Sequence, residues 1–225
     1  MLKDAKKRLK SILIVDDHPV FREGLGTLIA REPGLKVCAA AGDAHQALAA
    51  IARHQPDLVL VDISMPGRSG LEVIKDLRVV YPELSILVIS MHDEGLYAER
   101  VLQAGAQGYV MKQEGPDKMI QAIKQVLEGG IVLSPKMSAR VLGTLSGRRS
   151  VSKTPVAKLT DRELEVLELI GQAKDSHAIA KELHLSHKTV DAHRGRIKEK
   201  LGLKSGTELI CYAARWTETQ SAEAR

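Results

Sequence analysis

Five polar residues stand where four short apolar runs stop. Asp16 and Asp17 follow Ile12–Val15, Asp62 follows Leu58–Val61, Ser90 follows Ile86–Ile89, and Lys112 follows Gly108–Met111. Taken singly, a strand-end aspartate is usually a helix cap or turn residue, a serine carries no message, and a lysine is solvated. The set is another matter. Three aspartates gathered in one place repel one another unless a cation sits among them. Mg²⁺ suits such a site, being a hard ion that takes few protein carboxylates and keeps positions open for water and phosphate oxygens. A carboxylate beside Mg²⁺ can also act as a nucleophile and become an aspartyl phosphate. That chemistry needs charge neutralised on the equatorial oxygens, by the metal on one side and an ammonium on the other. Lys112 would supply the ammonium, and Ser90 a hydroxyl to a third oxygen.

These residues need a scaffold that gathers strand ends. With Leu35–Ala40 there are five β-rich apolar runs, separated by helix-patterned stretches over Val20–Arg31, Ala44–Gln55, Leu71–Val80, Gly95–Ala104 and Pro116–Glu128. Runs that are apolar throughout fit strands covered on both faces, as in a parallel sheet. Leu48, Ile51 and Ala52 keep the helical period. Pro19 and Pro116 suit first-turn positions, and Gly129-Gly130 closes the last helix. The pattern predicts an α/β domain with a flavodoxin-like (βα)5 parallel sheet. In the strand order 2-1-3-4-5 the topological switch point falls between strands 1 and 3, the two that carry the aspartates.

The remaining chain has a different character. Residues 134–158 hold Ser134-Pro135, Gly147, Arg148-Arg149, Ser150, Ser152 and Pro155, and read as a linker with a short helix over Lys136–Leu145. From Leu159 the periodicity is helical. Thr160-Asp161-Arg162-Glu163 is a capping box, Asp175 caps a second helix, and His184-Leu185-Ser186 is a turn ending in the next N-cap. A third, basic helix runs to Leu201, and Ser205-Gly206-Thr207-Glu208 opens a fourth as a second capping box. Two short helices joined by a tight turn, the second basic, read as a helix-turn-helix in a small all-α domain. The expected boundaries are 1–133, 134–158 and 159–225.

With Val190 inward and 100° per residue, Lys188, Ala192, Gly195 and Glu199 point outward on the third helix. Small residues at 192 and 195 would let it lie deep in a major groove. Thr189, Arg196 and Lys200 would reach phosphates. Lys188, Asp191 and Ala192 would face base edges, and His193 and Arg194 would pack or reach phosphate.

Charge agrees with this division. The chain of 225 residues has a formal net charge of +5. Residues 11–145 carry 13 basic and 16 acidic groups, whereas residues 146–225 carry 15 and 11. Five more basic groups lie within residues 1–10. Only six residues are aromatic, which speaks against a base-stacking platform for single strands and favours duplex DNA. No apolar run approaches the ~18 residues needed to span a bilayer, and the N-terminal run stops too early for a signal peptide. Cys38 and Cys211 make neither a disulfide framework nor a metal pair, so the expected compartment is the cytoplasm.

Residues 11–130 resemble the receiver domain of bacterial two-component response regulators. The resemblance rests on Val15-Asp16-Asp17-His18, Asp62 with Met65-Pro66 and Gly70, Ser90-Met91-His92, Ala104-Gly105-Ala106, and Tyr109 through Lys112. It implies that Asp62 is the phosphoacceptor and that Asp17 and Asp62 ligate Mg²⁺ directly. Asp16 would help through water, and the Ser64 carbonyl would complete the protein ligands. Ser90 and Tyr109 would be the switch pair. Two departures are Gln113, where many receivers carry proline, and Met91, where a small residue is frequent.

Residues 159–216 resemble the LuxR-type (NarL/FixJ-like) DNA-binding domain, through Leu159-Thr160, Arg162-Glu163, Ile179-Ala180, Ser186, Thr189-Val190, His193-Arg194, Ile197, Lys200-Leu201 and Gly202. Asp191 departs from relatives that are basic there. Together the resemblances imply a phosphorylation-controlled transcription regulator, no enzyme toward external substrates, with a sensor histidine kinase, duplex DNA and a second copy of itself as partners. One rival is a Mg²⁺-dependent phosphohydrolase, disfavoured because no Gly-x-Gly-x-x-Gly, P-loop or cap insertion is present. Another is a passive dimerisation module joined to the same DNA-binding domain.

Overall fold

The structure, a computed structural model, describes residues 8–65, 68–92, 94–145 and 155–223. Pro66, most of the basic N-terminal stretch and the Gly147–Ser152 part of the linker lie outside them. The chain divides into two compact units, 1–134 and 135–225.

In the first unit, β1 (Lys10–Val15), β2 (Leu35–Ala41), β3 (Leu58–Val61), β4 (Ser85–Ser90) and β5 (Gly108–Met111) form one sheet in the order β2-β1-β3-β4-β5. Every pairing is parallel. The intervening helices are α1 (Pro19–Ala30), α2 (Ala44–His54), α3 (Gly70–Val80), α4 (Glu94–Ala104) and α5 (Pro116–Leu127). Side chains alternate across a strand. Ile12, Ile14, Leu58, Leu60, Leu87 and Ile89 therefore share one face, where they pack with Leu25 and Ile29 of α1 and Met119, Ile123 and Val126 of α5. The residues between them, Leu13, Val15, Val59, Val61 and Val88, are equally buried. Burial on both faces is why the strands read as unbroken apolar runs.

Local chemistry sets the ends. Asp43 caps α2 by accepting from the Gln46 N–H, and Gln55 closes that helix in the left-handed region. Gly105, at φ +105°, ends α4 against Arg78, whose guanidinium donates to the carbonyls of Pro82, Leu84 and Gly105. A Cβ at Gly105 would meet that guanidinium at 2.8 Å.

The second unit holds α6 (Pro135–Leu145), a 3-10 turn (Pro155–Lys158), α7 (Asp161–Gly171), α8 (Ser176–Glu182), α9 (His187–Leu201) and α10 (Gly206–Glu223). The turn departs from the expectation of a flexible linker through residue 158. Val156 is buried, its carbonyl accepts from the Leu159 N–H within the turn, and the turn packs on α9. The Thr160 capping box is present in full. At α10 the expected box is modified: Ser205 accepts from the Glu208 N–H, but the Glu208 carboxylate reaches Lys204 N–H. Residues Glu163–Ile170 of α7 are all buried, with α9 and α10 packed against the helix. At Gly171 a Cβ would lie 1.9 Å from Thr217 Oγ1, so α7 and α10 touch backbone to side chain there. No helix among the described residues is long and apolar enough to cross a membrane.

Candidate phosphoryl site and nucleic-acid interface

Parallel strands deliver all their carboxyl ends to one edge of the sheet, and the first residue past β1, β3 and β5 is held by a ladder bond. Asp16 N–H donates to Ala41 O at 3.0 Å, Asp62 N–H to Val15 O at 2.8 Å, and Lys112 N–H to Ser90 O at 2.7 Å. Neighbouring strands thus fix the backbone of each functional residue. The loop after Asp62 is anchored by the buried Ile63 and Met65. Behind it, α3 begins at Gly70, whose N–H donates to Ile63 O at 2.8 Å.

The predicted site residues meet. Lys112 Nζ lies 2.6 Å from both Asp16 Oδ2 and Asp62 Oδ2, and all three side chains are at most 4% exposed. Asp16, Asp17, His18 and Asp62 each present a ligand atom within 4.8 Å of the others. His18 Nδ1 lies 2.9 Å from Asp17, 3.2 Å from Asp16 and 4.0 Å from Asp62. Asp17 Oδ1 is buried and makes no hydrogen bond of proper geometry, although the His18 ring stands beside it. An under-coordinated buried carboxylate oxygen among two more carboxylates fits a divalent cation, which would supply the missing contact. Ser64 N–H donates to Asp62 Oδ1 at 3.2 Å.

Burial pushes the Asp62 carboxyl above the usual carboxylate range, against the pull of the Lys112 ammonium; the nearby Asp16 charge adds to the rise. For Lys112 burial works against the charge, but Asp62 and Asp16 outweigh it and raise the ammonium above its ordinary value. Lys112 also lies over the Phe21 ring, 4.6 Å from its centroid, a cation–π contact that orients the side chain.

Ser90 is fully buried, and its Oγ accepts from His92 N–H at 3.1 Å. Tyr109 is turned inward, with its hydroxyl donating to the His92 carbonyl at 2.8 Å. His92 Nε2 and Ser64 Oγ are 2.5 Å apart. Met91 is exposed.

In the second unit, the exposed side of α9 carries Lys188, Asp191, Ala192, Gly195, Arg196 and Glu199, as the unrolled helix predicts. The other candidates are engaged within the fold. Lys200, expected to reach phosphate, has its ammonium 2.6 Å from Glu163 Oε2. Arg194 donates to Ser176 Oγ at 3.3 Å, and Ser176 donates to Asp191 Oδ1 at 3.1 Å. His187 Nδ1 lies 3.1 Å from Asp191 Oδ2. Thr189 serves the Ser186 cap. His193 is partly buried, and burial together with Arg196 and Arg162 lowers its pKa.

The same two units appear in known proteins. Residues 12–124 match the family model of the response regulator receiver domain, and residues 157–213 match that of the bacterial regulatory proteins of the luxR family. The chain belongs to the NarL/FixJ family of two-component response regulators. It is 34% identical over 213 residues to the transcriptional regulatory protein DegU of Brevibacillus brevis, covering 88% of this chain and 90% of that protein. It is 35% identical over 209 residues to the oxygen regulatory protein NreC of Staphylococcus carnosus, covering 91% and 96%. Among solved structures it is similar to RcsB of Salmonella enterica serovar Typhimurium bound to promoter rprA in the presence of phosphomimetic BeF3−. That likeness has a TM-score of 0.60 at 25% identity, covering 91% of this chain and 98% of the other.

As a response regulator the chain joins a receiver to a LuxR-type domain. In this regulator His18, Phe21 and His92 join the site without being marked in the sequence as site residues. His18 and His92 stood within the quoted motifs, one beside the aspartates and one beyond Ser90. Phe21 had no signal beyond being the sole phenylalanine.

Proposed function

We propose that Asp62 accepts a phosphoryl group from a sensor histidine kinase and that this modification controls duplex-DNA binding by α9. The observation that carries the reading is the convergence of three aspartates with the Lys112 ammonium, 2.6 Å from Asp16 and Asp62, at the carboxyl edge of the sheet. Asp16, Asp17, Asp62 and the Ser64 carbonyl would hold Mg²⁺, with His18 beside them. When bound, the metal would supply positive charge to the phosphoryl oxygens. A carboxylate oxygen of Asp62 forms the bond to phosphorus as the P–N bond to the kinase's phosphohistidine breaks. Lys112 neutralises a second phosphoryl oxygen, held in place by Asp16 and by the Phe21 ring. Ser90 turns its hydroxyl to the third. Its present tie to His92 N–H makes that movement a signal to the Tyr109 side of the sheet. Water later cleaves the acyl phosphate within the same receiver.

On the DNA side, Lys188 and Arg196 are the exposed cations of α9. Ala192 and Gly195 leave the helix surface low between them, and a Cβ at Gly195 would meet nothing within 4 Å among the described residues. Asp191, Thr189, His193, Arg194 and Lys200 act mainly by holding α9 in place. Two copies would read half-sites about one helical turn apart. The functional boundaries follow as 1–133, 134–158 and 159–225, with the 3-10 turn at the end of the linker seated on the helical domain, and the protein acts in the cytoplasm.

Incubation with labelled acetyl phosphate and Mg²⁺ tests the acceptor. Labelling at one residue is expected in the parent and absent in Asp62→Asn. Persistent stoichiometric labelling of that variant would sink the assignment.

A further inference from the structure

Residues 131–134, the last of the first unit, run along the free edge of the sheet and are fastened at three places. Gln125 of α5 holds their start: its carbonyl accepts from Gly130 N–H at 2.9 Å and its side-chain amide donates to Ile131 O at 2.7 Å. The middle pairs with β5 as a parallel bridge between Gly108 and Val132. There Val132 N–H donates to Gln107 O at 2.9 Å, and Tyr109 N–H donates to Val132 O at 3.0 Å. Gly108 is needed for this approach, since a Cβ there would lie 2.7 Å from Val132 Cβ. The end is held differently. Ser134 N–H donates to the carboxylate of Glu94, 2.8 Å away, and Glu94 is the first residue of α4. Pro135, the next residue, begins α6.

The third fastening alone belongs to the element that follows Ser90. Between Ser90 and Glu94 lies His92, where contacts from several elements meet. Its N–H donates to Ser90 Oγ, its carbonyl accepts from the Tyr109 hydroxyl, its ring is hydrogen-bonded to Ser64 Oγ, and it packs on the Tyr97 ring of α4 at 4.9 Å between centroids. Ser64 in turn is bonded to Asp62. The start and middle of the strap are tied to α5 and to the sheet, whereas its end is tied to the first residue of α4, just past the loop that holds His92.

We propose that Glu94 is a latch: it holds the Ser134 N–H, and hence the start of the connector to the helical unit, while Ser90 stays with His92, and releases it when Ser90 moves to a phosphoryl group on Asp62. This rests on the reading of Asp62 as the phosphoacceptor. The step needs no new contact, only that the β4–α4 loop has two arrangements and that the Glu94–Ser134 bond belongs to one of them. Because the bond joins a backbone amide to a carboxylate, its loss is directly visible at that amide.

The test is amide hydrogen exchange at Ser134 in the full chain, followed by NMR with and without beryllium fluoride and Mg²⁺, alongside acetyl phosphate labelling. Beryllium fluoride is expected to speed exchange at Ser134 by about tenfold, the scale of losing one charge-assisted hydrogen bond, and to leave Val132 protected. In Glu94→Ala the fast exchange should be present from the start and indifferent to beryllium fluoride. Glu94→Gln keeps an acceptor oxygen and should behave as the parent. Slow Ser134 exchange in Glu94→Ala, or no acceleration in a parent that labels at Asp62, would overturn the latch and leave the acceptor reading standing. Failure of the parent to label at Asp62 would overturn both.

Discussion

A Cβ placed on Gly70 would lie 2.0 Å from the carbonyl oxygen of Asp62. The first residue of α3 therefore rests directly on the backbone of the proposed phosphoacceptor, and only a missing side chain permits the approach. The contact is with backbone, which cannot swing aside as a side-chain end can.

Gly70→Ala should displace the Asp62 loop. The expected cost is about 1–3 kcal/mol of receiver stability, the usual scale of overpacking a tight site. Acetyl phosphate labelling should slow at the same time, because Asp62 leaves its 2.6 Å position on Lys112. Chemical denaturation and labelling rate together check this; a variant that labels at the parent rate would show that the loop yields without moving its carboxylate.

The Glu163–Lys200 pair makes the helical unit sensitive to acid. Burial would raise the Glu163 pKa, but the Lys200 ammonium and the Thr160 cap bonds outweigh it and hold the carboxyl below the ordinary glutamate range. A carboxyl lowered in the folded state contributes stability that is present above its unfolded pKa, about 4.3, and lost as pH falls through the lower folded value. Trp216, the one tryptophan, lies in α10, which packs on α7, so its fluorescence follows this unit. Glu163→Gln should lower stability at pH 7 by about 1–2 kcal/mol and flatten the decline between about pH 5 and 3. An unchanged acid profile would show that other carboxylates govern it.

Lys188 and Arg196 should separate in DNA binding. Arg196→Ala is expected to weaken binding to all duplexes and lower the salt slope by about 1, as for one lost phosphate contact. Lys188→Ala should instead alter which sequences are preferred, by about 1–3 kcal/mol at a contacted base pair. Lys200→Ala, with its ammonium already on Glu163, should act more on stability than on the salt slope. Titrations over a range of salt, with sites selected from random duplexes, distinguish the three.

Much of the candidate phosphoryl site was legible because a buried parallel strand is an apolar run, and its polar terminator is plain in the residue string. Asp16, Asp17, Asp62, Ser90 and Lys112 all stood at such ends, and the ladder order brought them together. The exposed side of α9 was legible for a like reason, since a helix turns a fixed angle per residue. Side-chain partners within that helix were not. Lys200 looks like any exposed lysine until α7 brings Glu163, 37 residues away, to within 2.6 Å. Asp191 looked free to read a base, yet both of its oxygens have neighbours, Ser176 and His187.

By itself, then, the order of residues determined the elements, the strand-end chemistry and the split between an acidic α/β unit and a basic helical one, because period, caps and charge are local properties of the string. Tertiary structure alone decided the Phe21 ring over Lys112, the seat of Gly70 beneath Asp62 and the strap from Val132 to Glu94. The first and third join elements far apart in the chain, the second seats α3 on the loop just before it, and all three depend on how helices pack on the sheet, which no local pattern encodes.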